Sequence, residues 1–208
     1  MPLKHDRGNE SAMQLIARIG AHFEQSARLK TDLAELLATP IAQAAQLMAD
    51  TLLQEKKLLA CGNGASAALA QYFVSRMLNR YDLERPSLAA LALSADSVTL
   101  TAIANDEHFS HVYSKQVNAL GQAGDVLLAL STSGDSVNVL QAIRAAKERG
   151  MLVIALSGGD GGSVVELLSG QDIHIGIPHD NAARIQEIYL LILHCLCDAI
   201  DCLLLGVH

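Results

Sequence analysis

Residues 124–143 read GDVLLALSTSGDSVNVLQAI, and this stretch decides the fold. Asp125–Leu130 is a short, almost wholly apolar run, the mark of a strand covered on both faces. Ser131, Thr132 and Ser133 follow, then Gly134, Asp135 and Ser136, and then a helical pattern over 136–149. The unit is therefore a buried strand, a hydroxyl-rich loop and a helix.

The same unit recurs on both sides of it. Short apolar runs at Lys57–Cys61, Leu88–Leu93, Met151–Leu156 and Asp172–Ile177 read as further strands. Helical stretches fall near 66–79, 96–104, 110–120, 162–169 and 181–205. Strands alternating with helices predict a five-stranded parallel sheet with helices on both faces, an α/β domain. No internal repeat is visible. Ahead of this core, apolar positions such as Met13, Ile16, Ile19 and Phe23 predict a helix over about 11–38. Thr39-Pro40 is expected to break it, because proline cannot continue a helix, and a second helix follows over 41–54. These leading helices read as a cap on the sheet or as an oligomer interface, and the sequence leaves both open. The whole chain, 1–208, is taken as one domain, with N-terminal helices at 11–54 and an α/β core at 56–208.

Composition narrows the function. The chain has 208 residues, 50% of them hydrophobic and only 3% aromatic, with no Trp, so the core is aliphatic. A net charge of −7 and the lack of a basic stripe argue against direct nucleic-acid binding. No run is read as long enough to span a membrane, and the first residues carry no apolar leader. Cys61, Cys195, Cys197 and Cys202 form no CxxC pair and read as core thiols, consistent with a cytoplasmic protein.

Two strand ends carry the chemistry. Open parallel sheets bind ligands beyond the carboxyl ends of their strands. Cys61-Gly62-Asn63-Gly64-Ala65-Ser66 and Leu130-Ser131-Thr132-Ser133-Gly134-Asp135-Ser136 each leave a strand and open a helix. Glycine lets the backbone approach a ligand, free amides at a helix start attract anions, and hydroxyls both donate and accept. One Ser or Asp suffices to cap a helix, so three consecutive hydroxyls point to a phosphorylated ligand. A third loop, Ser157–Gly162, is glycine-rich with few side chains and reads as a turn. Gly62, Gly64 and Ala67 also fit a dinucleotide fingerprint. The acidic residue that such a site needs after the second strand is represented only by Asp96, which is late, and that cofactor leaves the second hydroxyl loop unexplained.

These motifs resemble the SIS (sugar isomerase) domain family, and within it the phosphoheptose isomerase group. CGNGASA at 61–67, NRYDLERPSLAALAL at 79–93, TAIAND at 101–106, the stretch at 124–143 and ARIQEIYLLILHCLCDAID at 183–201 carry the resemblance. It implies a flavodoxin-like three-layer sandwich assembled as a homotetramer. It also implies that Asn63, Gly64, Ala65, Ser66, Asn105, Asp106, Ser131, Thr132, Ser133, Ser136 and Gln186 hold a sugar phosphate. His194 matches an acid/base, and Gln186 and His194 match a pair of metal ligands.

The pattern breaks on the helix after the first loop. The isomerases of the group carry His and Glu there, spaced i and i+4 on one face, where they share zinc and the Glu moves a proton. This chain has Tyr72 and Arg76. Arginine is a permanent cation with no acceptor. Gln186 and His194, about 12 Å apart along a helix, make a poor metal site alone. The resulting expectation is a non-catalytic sugar-phosphate binder similar to the DnaA initiator-associating regulators of replication, without cofactor or metal. Leu204 and Leu205 would contact a DnaA-type initiator. The alternative is a working phosphoheptose isomerase, acting on sedoheptulose 7-phosphate and using zinc.

Overall fold

The computed structural model describes residues 6–206, with side chains from residue 12 onward. It divides into two compact units between Leu36 and Leu37.

The first element, α1, spans Asp6–Leu53 as one helix with Pro40 inside it. The expected break at Thr39-Pro40 does not occur. Proline removes one amide donor and crowds the carbonyl four residues before it, a local penalty of about 3 kcal/mol. Leu37, Ala44, Ala45, Met48 and Ala49 are all buried around it, and that burial carries the helix through. Before Leu37, Met13, Ile16, Ile19 and Phe23 form an exposed apolar row on α1.

The second unit is the α/β core. Strands β1 (Leu58–Gly62), β2 (Ala90–Ala92), β3 (Val126–Ser131), β4 (Leu152–Gly158) and β5 (Ile173–Ile177) form one parallel sheet in the order β2-β1-β3-β4-β5. Its helices are α2 (Ala65–Leu78), α3 (Ser97–Asp106), α4 (Ser114–Leu120), α5 (Val137–Glu148), α6 (Gly162–Leu167) and α7 (Ala182–Leu205). Every residue of β1 and β3 is buried, as expected for strands covered on both faces. Alternation sorts them: Leu59, Cys61, Leu127, Ala129, Val153 and Ala155 join one cluster with Val117 of α4, Val139 and Ile143 of α5 and Val164 of α6. Their neighbours Leu58, Ala60, Leu128, Leu130, Ile154 and Leu156 therefore face the opposite side.

Three expectations need adjustment. β2 is three residues long rather than six, because the Leu88 amide bonds to the Met77 carbonyl of α2 and regular pairing with β1 begins only at Ala90. The helix expected over 110–120 is a 3-10 turn at Phe109–His111 followed by α4, and Tyr113 at the join is turned inward and buried. Finally, α7 is long and apolar enough to cross a membrane by length and composition, with a mean hydropathy of 2.1 over its most apolar window. That window is 44% buried, since Ile185, Ile188, Tyr189, Ile192, Leu193 and Leu196 lie in the core.

Candidate functional site

The strand order reverses direction between β1 and β3, whose chains leave the sheet toward helices α2 and α5. This is a topological switch point, the place where open α/β sheets bind ligands. Both loops singled out in the sequence lie there, side by side, since Gly62 of β1 pairs with Leu130 of β3.

The first loop is built for close approach. A Cβ on Gly62 would lie 2.9 Å from Ser66 Cβ and 3.0 Å from the Leu130 carbonyl oxygen, so only glycine fits. Gly64 has φ 55° and ψ −122°, a conformation that side chains avoid. It occupies the cap position of α2 and offers no side-chain bond to the first turn. Asn63 and Asn138 exchange amide hydrogen bonds: Asn63 Nδ2 donates to Asn138 Oδ1 and Asn138 Nδ2 donates to Asn63 Oδ1, each at 2.8 Å. Tyr113 donates its hydroxyl proton to the Gly62 carbonyl. Burial pushes the Tyr113 phenol up to about 12, with the nearby Cys61 thiol adding to the shift, so it stays a donor.

In the second loop Ser131 is buried and its Oγ donates to Ser136 Oγ at 3.2 Å. Ser133 Oγ accepts from the Asp135 amide. Ser136 sits at the cap position of α5, yet its hydroxyl makes no capping bond. By contrast, Asp96 caps α3 and Asn181 caps α7 through their side chains. The two helix starts that meet at the switch point are thus left without side-chain caps, and capping does not explain the hydroxyls of this loop. Amides free at two helix N-termini, backed by Ser66, Ser131, Thr132, Ser133 and Ser136, make a cradle for an anion.

The third loop supports the second. A Cβ on Gly134 would lie 2.0 Å from the Gly161 carbonyl oxygen, so the two backbones touch. Asp135 Oδ1 accepts from both the amide and the hydroxyl of Ser163. Asn105 and Asp106 end α3, are exposed, and hydrogen-bond to each other. Their described hydrogen bonds do not join them to either strand-end loop. A cavity of about 410 Å³ beside edge strand β2, lined by residues including Leu91, Asp96, Thr99 and Lys115, contains none of the expected site residues.

A second constellation lies where α2 meets α7. The Tyr72 hydroxyl and His194 Nε2 are 3.0 Å apart. The His194 ring meets Tyr72 edge-on, with centroids 5.6 Å apart, and Tyr81 at a tilt, with centroids 5.8 Å apart. Arg76 stacks on the opposite partner of that pair, its Cζ 4.8 Å from the Tyr72 ring centroid. Gln186 is half-buried further up α7 and makes no side-chain hydrogen bond among the described residues. His194 is thus a hydrogen-bonded, partly exposed histidine, not one sealed in the core.

These residues do not fit zinc. Among the described residues no three His, Cys, Asp or Glu side chains are placed to share a metal. Where a carboxylate ligand would stand, Arg76 presents a permanent cation, and Tyr72 uses its oxygen to bind His194.

Sequence reading missed Asn138, Tyr113 and Tyr81. Asn138 had a signal, a lone amide in the apolar run Val137-Asn138-Val139-Leu140 at the start of a helix. Tyr113 and Tyr81 had none, since their partners are set by tertiary packing.

Comparison with known proteins places this geometry. The SIS domain family model matches residues 21–158. Phosphoheptose isomerases of Aromatoleum aromaticum and Azoarcus sp. are each 59% identical over 196 residues, covering 94% of this chain and 99% and 100% of theirs. The solved phosphoheptose isomerase of Neisseria gonorrhoeae superposes with a TM-score of 0.86 at 50% identity, covering 90% of this chain and 98% of its own. That of Francisella tularensis gives 0.87 at 46% identity, covering 89% and 97%. These likenesses overturn the expectation of a non-catalytic regulator that associates with DnaA. That expectation rested on Tyr72, Arg76 and the Leu204-Leu205 tail, whereas the identity to phosphoheptose isomerases extends along nearly the full chain. Leu204 and Leu205 form the last turn of α7, one half-buried and one exposed, before the Gly206 cap.

Proposed function

We propose, because this chain belongs to the SIS domain family and within it to the phosphoheptose isomerase group, that it is an isomerase of a phosphorylated seven-carbon sugar. The observation that carries this reading is the near full-length likeness to phosphoheptose isomerases.

The switch-point loops suit the phosphate. Its oxygens would take hydrogen bonds from the free amides of α2 and α5 and from Ser66, Ser131, Thr132, Ser133 and Ser136. From Ala65 to Tyr72 is about 10 Å along the helix axis, a span suited to a sugar chain running from the phosphate toward His194. Interconverting a ketose and an aldose moves a proton from the carbon on one side of the carbonyl bond to its neighbour. A second proton passes from the hydroxyl oxygen to the former carbonyl oxygen. An imidazole can take and return the first proton, which assigns that role to His194. The Tyr72 hydroxyl, already bonded to His194 Nε2, serves the oxygens. Arg76 neither gives nor takes a proton. No step is assigned to a metal, because the residues at 72 and 76 do not make a zinc site.

The same reading includes a homotetramer in the cytoplasm, and the exposed row of Met13, Ile16, Ile19 and Phe23 on α1 supports such assembly. Incubating the purified chain with sedoheptulose 7-phosphate tests the function. Aldose product is expected from the wild type and not from His194→Ala. A folded wild-type protein that forms no product at high enzyme concentration would overturn the reading.

A further inference from the structure

We infer that Tyr72, Arg76 and His194, where α2 meets α7, form a binding site for a small oxyanion, a phosphate or carboxylate group gripped by the Arg76 guanidinium. The first observation is an unpaired charge. Arg76 Nε is buried with no hydrogen-bond acceptor, and its side chain makes no ion pair among the described residues. A guanidinium stays charged, and the Nε of this one is shut off from solvent while the residue as a whole is partly exposed.

The neighbouring acids do not supply that counter-ion. Asp201, buried on α7, is paired with Arg85 at 2.5 Å, the two side chains being 3% and 1% exposed. Asp201 Oδ2 is itself without a hydrogen-bond partner, but its single negative charge is already offset by Arg85. Glu84 pairs with Arg80. Asp198 is exposed and forms no ion pair among the described residues. Asp198 and Asp201 lie in the same neighbourhood as Arg76 and Arg85, but neither pairs with Arg76 among the described residues, and its guanidinium is left able to take an added acceptor.

The second observation is that the arginine is held in place. Arg85 donates to the backbone carbonyls of Arg76 and Met77, at 2.8 and 3.0 Å, which fixes the end of α2. The Tyr72 ring supports the guanidinium from one side, and the Tyr72 hydroxyl and His194 Nε2 are locked to each other. Tyr72, Arg76, Tyr81 and His194 are all partly exposed, so the cluster opens to solvent. A planar fork of donors, stacked and open on one side, matches a carboxylate or phosphate.

This site shares Tyr72 and His194 with the proposed isomerase centre, but it rests on the unpaired Arg76 and does not depend on turnover. The test is NMR of the His194 ring in the full-length protein, titrated separately with inorganic phosphate, malonate and zinc. At least one anion is expected to shift the His194 resonances saturably. Arg76→Gln should weaken that response about tenfold or more. Arg76→Lys, which keeps the charge and loses the fork, should weaken it less. Ser131→Ala, in the strand-end loop, should leave it in place. The proposal is overturned if neither anion moves the His194 resonances, if Arg76→Gln responds like the wild type, or if zinc binds at one per chain and takes over the His194 signal. Sugar turnover tests the isomerase reading, while an anion response of the His194 resonances that depends on Arg76 tests this site, so either can fail without the other.

Discussion

Asn63 and Asn138 show how a loop residue is held ready. Their side-chain amides pair reciprocally across the switch point, 75 positions apart in sequence. Asn138→Ala leaves both polar ends of the Asn63 amide without those partners, so a loss of about 1–3 kcal/mol is expected, read from the urea midpoint, together with weaker sugar-phosphate binding. Asp135 gives the same region a pH dependence. Hydrogen bonds from the Ser163 amide and hydroxyl hold its carboxyl below the ordinary aspartate value. A lowered folded-state pKa contributes stability that is present above the unfolded value, about 3.9, and is lost as pH falls through the folded one. Urea unfolding of the wild type and Asp135→Asn should therefore differ by a constant amount above about pH 5, and the gap should begin to shrink near about pH 4 and close only as pH falls through the lowered folded-state value. A difference that persists unchanged into acid would contradict this account of the loop. Asn138 is marked in the sequence as a lone amide in an apolar run, but the partner of each residue was not legible, because only the fold brings it near.

Helices and strands were more legible than single contacts. The five strands announce themselves as short apolar runs, and the structure places each within a residue or two, β2 excepted. α1 was misread at Pro40, because a proline rule describes a local cost and burial around residues 37–49 outweighs it. At the junction of α2 with α7 the resemblance points to Tyr72, Arg76, Gln186 and His194, but the buried ion pair behind them was not legible. Arg85 is one charge among several in 79–93, yet its side chain is 1% exposed and paired with Asp201. Removing one partner of such a pair strands the other, so Arg85→Met is expected to cost about 3–5 kcal/mol, while Arg85→Met with Asp201→Leu should recover most of it. Urea unfolding of the three variants measures this. A double variant no better than the single one would show that the pair does more than neutralise itself.

For the molecule as a whole, sheet order β2-β1-β3-β4-β5 brings the glycine loop and the hydroxyl loop to one crevice, which the spacing of the motifs foreshadowed. The second half of the site was read as a loss, since Tyr72 and Arg76 stand where a metal-binding pair would be. The structure instead joins Tyr72 to His194 and stacks Arg76 on it, an arrangement no spacing rule encodes. The central claim is that His194 moves the proton of an isomerisation while the strand-end loops hold the phosphate. Sedoheptulose 7-phosphate should therefore be turned over in deuterium oxide, and the product examined by NMR. The account predicts an aldose carrying deuterium at the carbon that was the carbonyl, formed by the wild type without added zinc and absent with His194→Ala. Recovery of unconverted, unlabelled ketose from the folded wild-type protein would contradict it.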